Sequence, residues 1–162
     1  MGKLMNQSEI SDFFNRKTSV LWPTTAGSIK FIIMSEPYRF KRHWQNREKT
    51  ICSETGDCPS CNNGNRPQLC FAYQVAFYAR RRIESAIMEL SAAAFEEVLQ
   101  ATREHGRDSI FEISRSGEGM QTVYNVKFVG KVDATLKAET DRLHISSFED
   151  IYGTSDSGGP TT

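Results

Sequence analysis

The sequence lacks any long apolar run, because its uninterrupted stretches of apolar residues are only a few residues long. A helix that spans a bilayer needs about 20 such residues. The opening Met-Gly-Lys-Leu-Met-Asn also lacks the apolar core of a signal peptide. We therefore expect a soluble, cytoplasmic protein with no membrane partner. Its 162 residues are enough for one globular domain with short extensions.

The chain also lacks net charge, since 20 Lys and Arg residues balance 20 Asp and Glu residues. A zero balance alone argues against a nucleic-acid-binding protein, which usually carries a basic excess. The distribution along the chain weakens that argument. Residues 1–82 carry 13 basic and 6 acidic side chains together with 11 of the 17 aromatic ones. This fits a polyanion-binding surface in the first half, although ordinary solvated charge would give the same count.

Cysteine is scarce, and all four cysteines lie within nineteen residues, at positions Cys52, Cys58, Cys61 and Cys70. The two-residue spacing between Cys58 and Cys61 lets both thiolates bind one tetrahedral ion. Polar turn formers surround them, so the loop has almost nothing to bury, and a metal would supply the missing stabilisation. We predict one structural Zn²⁺ held by the four cysteines, with no open position for catalysis.

Other interpretations of the cysteines remain open. His43 lies nine residues before Cys52 and is a possible substitute ligand for Cys52 or Cys70. Disulfides would suit a secreted protein. A redox C-x-x-C pair would sit at a strand-to-helix junction rather than among turn residues.

The apolar pattern predicts a mainly β protein with one or two helices. Alternation and β-branched residues indicate short strands over 28–34, 38–44, 71–79, 83–90, 109–115 and 122–129. Ser91 and Gly106 are placed to begin and end a helix, and a short helix is expected around 147–152. This order fits an OB-type five-stranded barrel with a zinc-loop insertion. An SH3-like barrel and an α+β sheet fit the same pattern.

The predicted organisation has three parts. They are an N-terminal arm over 1–27 with a short helix at Ser8–Phe14, a barrel core over 28–150 with the zinc insertion at about 45–70, and a flexible C-terminal tail over 151–162. The composition of the last ten residues is typical of disorder.

Basic and aromatic residues alternate in the same segments of the first half. Proteins bind single strands with Lys and Arg along the phosphates and with aromatic rings on which the bases stack. The candidate nucleic-acid-binding residues are Tyr38, Arg39, Phe40, Lys41, Arg42, Trp44, Arg47, Lys49, Tyr73, Tyr78, Arg80, Arg81 and Arg82. Trp44, in a polar stretch among basic residues, is the hardest of these to explain as core.

Catalytic motifs are missing from the sequence. The glycines at Ser116–Gly119 lack the following Lys and the strand-to-helix context of a phosphate-binding loop. The three histidines are scattered and form no recognisable nucleophile motif. We therefore expect a binding protein rather than an enzyme.

Residues 27–129 resemble the single-stranded DNA-binding proteins of tailed bacteriophages, the group that includes the T-even helix-destabilising proteins. The resemblance rests on His43-Trp44, on the Cys52-x5-Cys58-Pro-Ser-Cys61 loop, on residues 87–91 (IMELS) before a helix, and on residues 113–124 (ISRSGEGMQTVY). Just before the last segment, Phe111-Glu112 stands where the family pattern has Asp.

The resemblance implies an OB fold that carries a zinc-binding insertion. It also implies a protein that coats single-stranded DNA with little sequence preference during DNA replication, recombination and repair, in the host cytoplasm. Such proteins recruit replication or recombination partners through an acidic C-terminal segment, which is only mildly acidic here. Some relatives use a His as a zinc ligand. The alternatives are an RNA-binding protein and a zinc-ribbon module that binds other proteins.

Overall fold

The computed structural model describes residues 4, 6, 7, 19–45 and 48–153, and within these it forms a mainly β protein. The strands are β1 (Ser19–Leu21), β2 (Ser28–Ile33), β3 (Tyr38–Gln45), β4 (Glu48–Ile51), β5 (Gln68–Ala79), β6 (Arg82–Ser91), β7 (Ser109–Ser116) and β8 (Val123–Lys131). The α-helices are α1 (Pro59–Asn62), α2 (Ala92–His105), α3 (Ala134–Asp141) and α4 (Phe148–Tyr152), with a 3-10 turn at Gly119–Gln121. No helix among the described residues is long and apolar enough to span a membrane.

The described strands form one open mixed sheet in the order β1-β6-β5-β2-β7-β8. β3 pairs with the first half of β5, and β4 pairs with β3. The β1–β6 pair is parallel, and the other pairs are antiparallel. A closed five-stranded barrel would need β6 to pair with β8, but β1 occupies the outer edge of β6 at Ala86–Met88. The mainly β prediction is therefore confirmed, whereas the OB barrel is not.

Two apolar clusters lie on opposite faces of β5, whose side chains alternate as the sequence predicts. The larger cluster packs Tyr73 and Val75 against the buried face of α2 and the residues Phe31 and Phe111. The smaller cluster packs Ala72 against Phe40, Cys70, Ile87 and Tyr152. Phe71, Val75 and Phe77 share the α2 face, and Phe71 stacks on Phe95 with 3.9 Å between ring centroids.

Helix α2 begins and ends where its sequence predicts. The Ser91 hydroxyl accepts a hydrogen bond from the Ala94 N–H, and Gly106 adopts a φ of +89°, which only glycine takes easily. The helix contacts β5, β6 and β8, so it covers the core at the open side of the sheet.

The short helix expected around 147–152 is present as α4. Ser147 begins α4 with a capping box, as expected, but Ile151 and Tyr152, assigned to the tail, belong to this helix. Helix α3 was not predicted, although Asp133 caps it by accepting from the Leu136 N–H. The predicted helix at Ser8–Phe14 and residues 154–162 of the tail lie outside the described residues.

Candidate metal centre and basic groove

Four side chains converge at one end of β3 and can hold a metal ion: His43, Cys52, Cys58 and Cys61. Their ligand atoms all lie within 4.8 Å of one another. The Cys52 and Cys61 sulfurs are 3.6 Å apart. The His43 Nε2 atom lies 3.3 Å from the Cys58 sulfur and 3.4 Å from the Cys61 sulfur.

The three distances of 3.3 to 3.6 Å are close to those of a tetrahedral zinc site. With Zn–S bonds of about 2.3 Å and a Zn–N bond of about 2.0 Å, tetrahedral angles place two sulfurs about 3.8 Å apart and a sulfur and a nitrogen about 3.5 Å apart. A histidine with three cysteines is also a common set for structural zinc. The donor atoms and their spacing therefore fit the ion, and all four coordination positions would come from the protein.

Local backbone structure brings the three cysteines to His43. The Cys52 N–H donates to the Lys41 carbonyl at 2.8 Å, which ties the start of the loop to β3. Pro59 begins α1, a position that suits a residue without an N–H. Gly64, with a φ of +83°, reverses the chain behind Cys61. The loop is thus folded by turns rather than by a core of its own.

A second layer of hydrogen bonds orients the His43 ring, which is fully buried. Its Nδ1 atom lies 2.6 Å from the Asn65 Oδ1 atom, and the Asn65 amide donates to the Trp44 carbonyl at 3.2 Å. Because Asn65 uses its N–H on Trp44, its oxygen must face His43 and accept from Nδ1–H. This leaves Nε2 free of a proton and aimed at the cysteines, as metal-binding histidines require.

Two cysteines of the cluster have pKa values shifted in opposite directions. A hydrogen bond from the Cys61 backbone N–H to the Cys58 sulfur is the main cause that lowers the pKa of Cys58 to about 6. Desolvation, followed by hydrogen bonds with the Cys52 and Cys58 side chains, raises the pKa of Cys61 to about 11. Thiolates packed this closely repel one another, and a bound dication removes that penalty.

Cys70, the predicted fourth ligand, lies elsewhere. It pairs with Phe40 across β3 and β5, and its side chain packs in the smaller apolar cluster. Phe40 and His43 are three residues apart on β3, so they face opposite sides of the sheet. Cys70 therefore faces away from the metal cluster, and the alternative ligand, His43, occupies the fourth place.

A groove of about 300 Å³ opens on the other side of β3. It lies where the β3–β4 hairpin, the segment after β1, the end of β6 and the β7–β8 hairpin meet. We call it the basic groove, and it is lined by Trp22, Pro23, Arg42, Trp44, Lys49, Gln68, Cys70, Glu89, Leu90, Ser91, Arg115 and Tyr124. Its charged side chains are three cations, Arg42, Lys49 and Arg115, and one carboxylate, Glu89.

Two tryptophans stand at the mouth of the basic groove, with 48% of Trp22 and 53% of Trp44 exposed. The Lys49 ammonium lies 4.5 Å from the Trp22 ring centroid and 5.8 Å from that of Trp44. Lys49 pairs with Trp44 across the β3–β4 hairpin. Exposed aromatic faces beside a cation are the surface on which unpaired bases stack.

A buried network lies at the base of the groove. Arg42 donates from one terminal nitrogen to both carboxylate oxygens of Glu89, at 2.8 Å each. The Tyr152 hydroxyl of α4 donates to the same carboxylate at 2.6 Å. Burial is the main cause that raises the pKa of Tyr152 well above its usual value, so its proton stays in this bond.

Several predicted nucleic-acid contacts are not available to a ligand. Phe40 and Tyr73 are each only 3% exposed. Tyr38 stacks on Phe148 and Tyr152 of α4, with centroid separations of 4.8 and 5.3 Å. Phe40 and Tyr73 pack inside the protein, so neither has a face open to a base. Tyr38 is partly buried, and its stacking partners on α4 occupy the ring.

The predicted arginines and lysines among the described residues lie in three places. Arg42 and Lys49 line the basic groove. Arg39 and Lys41 lie on the metal side of β3 and pair with Glu54. Arg80, Arg81 and Arg82 form the exposed β5–β6 turn beside Tyr78, at the far end of the 12-residue β5. A strand of that length spans about 35 Å, so this turn is remote from the basic groove. Arg47 lies outside the described residues.

Sequence reasoning missed Trp22, Arg115 and Tyr124 as groove residues. Arg115 and Tyr124 are cross-strand partners near the tip of the β7–β8 hairpin, inside the segment that carried the family resemblance. Trp22 follows β1, which reaches the groove only through its parallel pairing with β6. That pairing joins distant parts of the chain and leaves no local sequence signal.

Comparisons with protein-family models, with curated proteins and with solved structures find no match to this chain.

Proposed function

We propose that the protein binds single-stranded DNA, with little sequence preference, in the basic groove. The observation that carries the proposal is the pair of half-exposed tryptophans beside Lys49, in a groove that two partly buried arginines, Arg42 and Arg115, also line. Stacked aromatic rings accept any base, and cations along a groove accept any phosphate. The basic groove supplies both kinds of group. Coating of single strands in DNA replication, recombination and repair is the proposed biological setting.

We propose that the metal is a structural Zn²⁺. The His43 ring and the three thiolates would complete its coordination, so no position is left for a reacting water. His43 and Trp44 are neighbours on β3, and Asn65 bonds to both. The bound ion would therefore fix the β3–β4 hairpin, which presents Trp44 and Lys49 to the groove.

We also propose a distant relationship to the phage single-stranded DNA-binding proteins. The strands β6-β5-β2-β7-β8 lie side by side in the order that a five-stranded barrel would close by pairing β6 with β8. Helix α2 joins β6 to β7, and the metal loop is inserted before β5. The basic groove lies on the open side of the sheet, between β6 and β8. Partner recruitment through the C-terminal region is part of the same proposal.

The stacking argument is tested with Trp44→Ala and the matched control Tyr78→Ala. Both side chains are exposed to a similar extent, at 53% and 42%, but Tyr78 lies on the remote hairpin. We expect Trp44→Ala to weaken binding of a fluorescent thymidine oligonucleotide about 5- to 100-fold, the worth of one stacked base. Tyr78→Ala should bind as the unmodified protein does. Equal affinity for the two variants would remove Trp44 from the site.

Competition experiments separate the alternatives. An RNA of the same sequence that displaces the DNA at equal or lower concentration would favour an RNA-binding function. A protein-interaction module would show no salt-sensitive binding to either oligonucleotide, because its contacts would not involve phosphates.

A further inference from the structure

Two arginines that line the basic groove each have one buried side-chain nitrogen without a hydrogen-bond partner. The two nitrogens are the Nε atoms of Arg42 and Arg115, and no other buried side-chain nitrogen or oxygen among the described residues is unpaired. A buried, unpaired donor on a charged group is costly, and native proteins rarely keep one without a ligand, ion or water to satisfy it. The side chains of both arginines line the same groove.

The two guanidinium groups differ in their protein partners. Arg42 is held by Glu89, which engages one terminal nitrogen and leaves Nε unused. Arg115 forms no ion pair with a carboxylate within the part of the chain that the structure describes, and its cross-strand neighbour is Tyr124. The Glu89 carboxylate is fully engaged by Arg42 and Tyr152. It therefore fixes Arg42 without neutralising Arg115.

We propose that Arg42 and Arg115 form a phosphate-binding subsite in the basic groove, which holds one phosphodiester of the bound strand. Guanidinium groups present paired N–H donors that match the oxygens of a phosphate. Glu89 is a positioning residue that holds Arg42 in place, and Tyr152 holds Glu89. This inference rests on the proposed function, because it assigns the backbone contact of the same groove whose rims carry the stacking tryptophans.

The variant Arg115→Gln tests the subsite, with Arg81→Gln on the remote β5–β6 turn as its matched control. We expect Arg115→Gln to weaken binding of a thymidine oligonucleotide about tenfold at low salt. The slope of log affinity against log salt should also become shallower by about 0.7, the contribution of one phosphate contact. Arg81→Gln should change neither quantity. Arg115→Lys should keep the salt slope but lose affinity, since it keeps the charge without the paired donors.

A second measurement identifies the source of the phosphate. The ¹⁵N–¹H signals of the Arg42 and Arg115 Nε groups should shift on adding the oligonucleotide and should stay in place with inorganic phosphate at the same concentration. An oligonucleotide with uncharged methylphosphonate linkages should bind the unmodified protein and Arg115→Gln equally. Equal shifts with inorganic phosphate would overturn the assignment to a nucleic-acid backbone.

The outcomes of the two proposals can be told apart. If the unmodified protein binds the oligonucleotide and Arg115→Gln binds it with the same affinity and salt slope, the subsite is wrong while the proposed function stands. If the unmodified protein does not bind at low salt, the proposed function itself fails.

Discussion

The identity of the fourth metal ligand can be tested by removing Cys70, since the sequence favoured it and the structure does not bring it to the cluster. In Cys70→Ala the four ligand atoms of His43, Cys52, Cys58 and Cys61 remain intact. The lost sulfur sits in an apolar cluster, where a small buried group is worth about 1 to 2 kcal/mol of stability. We therefore expect a modestly less stable protein that still binds about one ion per chain.

Cys61→Ala, which removes one of the four ligands, is the variant to compare with Cys70→Ala. Cys61 is exposed, so its truncation leaves no cavity in the core. A structural zinc site contributes about 10 to 16 kcal/mol, so that each of four ligands accounts for about 3 kcal/mol. Loss of one ligand should weaken metal binding by about 100-fold or more.

The assay is the metal content per chain after dialysis against a competing chelator, followed by thermal unfolding of the same samples. The expected pattern is a retained ion in Cys70→Ala and a lost ion in Cys61→Ala. A Cys70→Ala protein that loses its metal while His43→Gln keeps it would refute the ligand set described here.

Three further predictions follow from individual sites. Removing the metal with a strong chelator should lower the melting temperature and weaken oligonucleotide binding, and added zinc should restore both; unchanged melting and binding would contradict a structural role. Burial is the main cause that raises the pKa of Tyr73 to about 12 from 10, so its protonated form contributes stability that is complete below pH 10 and is lost as the pH rises toward 12. Between these pH values, Tyr73→Phe should therefore lose less stability in urea unfolding than the unmodified protein. Parallel curves of stability against pH for the two proteins would show that Tyr73 is not responsible for the loss. Gly117 has a φ of +76° and a Cβ there would overlap the Gln121 carbonyl oxygen, whereas Gly119 has open space around it. Gly117→Ala should lower the free energy of unfolding by about 1 to 3 kcal/mol and Gly119→Ala by less. Equal losses of stability would show that the backbone at the hairpin tip shifts to accommodate the new side chain.

Much of the secondary structure could be predicted because its causes are local. Alternating side chains define β5, and the cap residues Ser91 and Gly106 define α2. The metal loop was predictable for the same reason, since three of its ligands lie within ten residues of one another.

The remaining features depend on which strands pair, which the sequence pattern does not reveal. His43 rather than Cys70 completes the metal cluster because the register of β3 on β5 places Cys70 beside Phe40, on the opposite face. The sequence predicts Tyr38 and Phe40 as base-stacking residues, but α4, more than 100 residues further along the chain, packs against both rings. The sheet is open because β1, part of the predicted arm, pairs with the edge of β6.

The central claim is that the basic groove binds single-stranded DNA through its phosphates and tryptophans. Its most direct test is a fluorescence anisotropy titration of the metal-loaded protein with a single-stranded thymidine oligonucleotide over a range of NaCl concentrations. We expect tight binding at low salt and a linear fall of log affinity with log salt, with a slope of about −0.7 for each phosphate contacted. Absence of binding at low salt, or an affinity that does not change with salt, would contradict it.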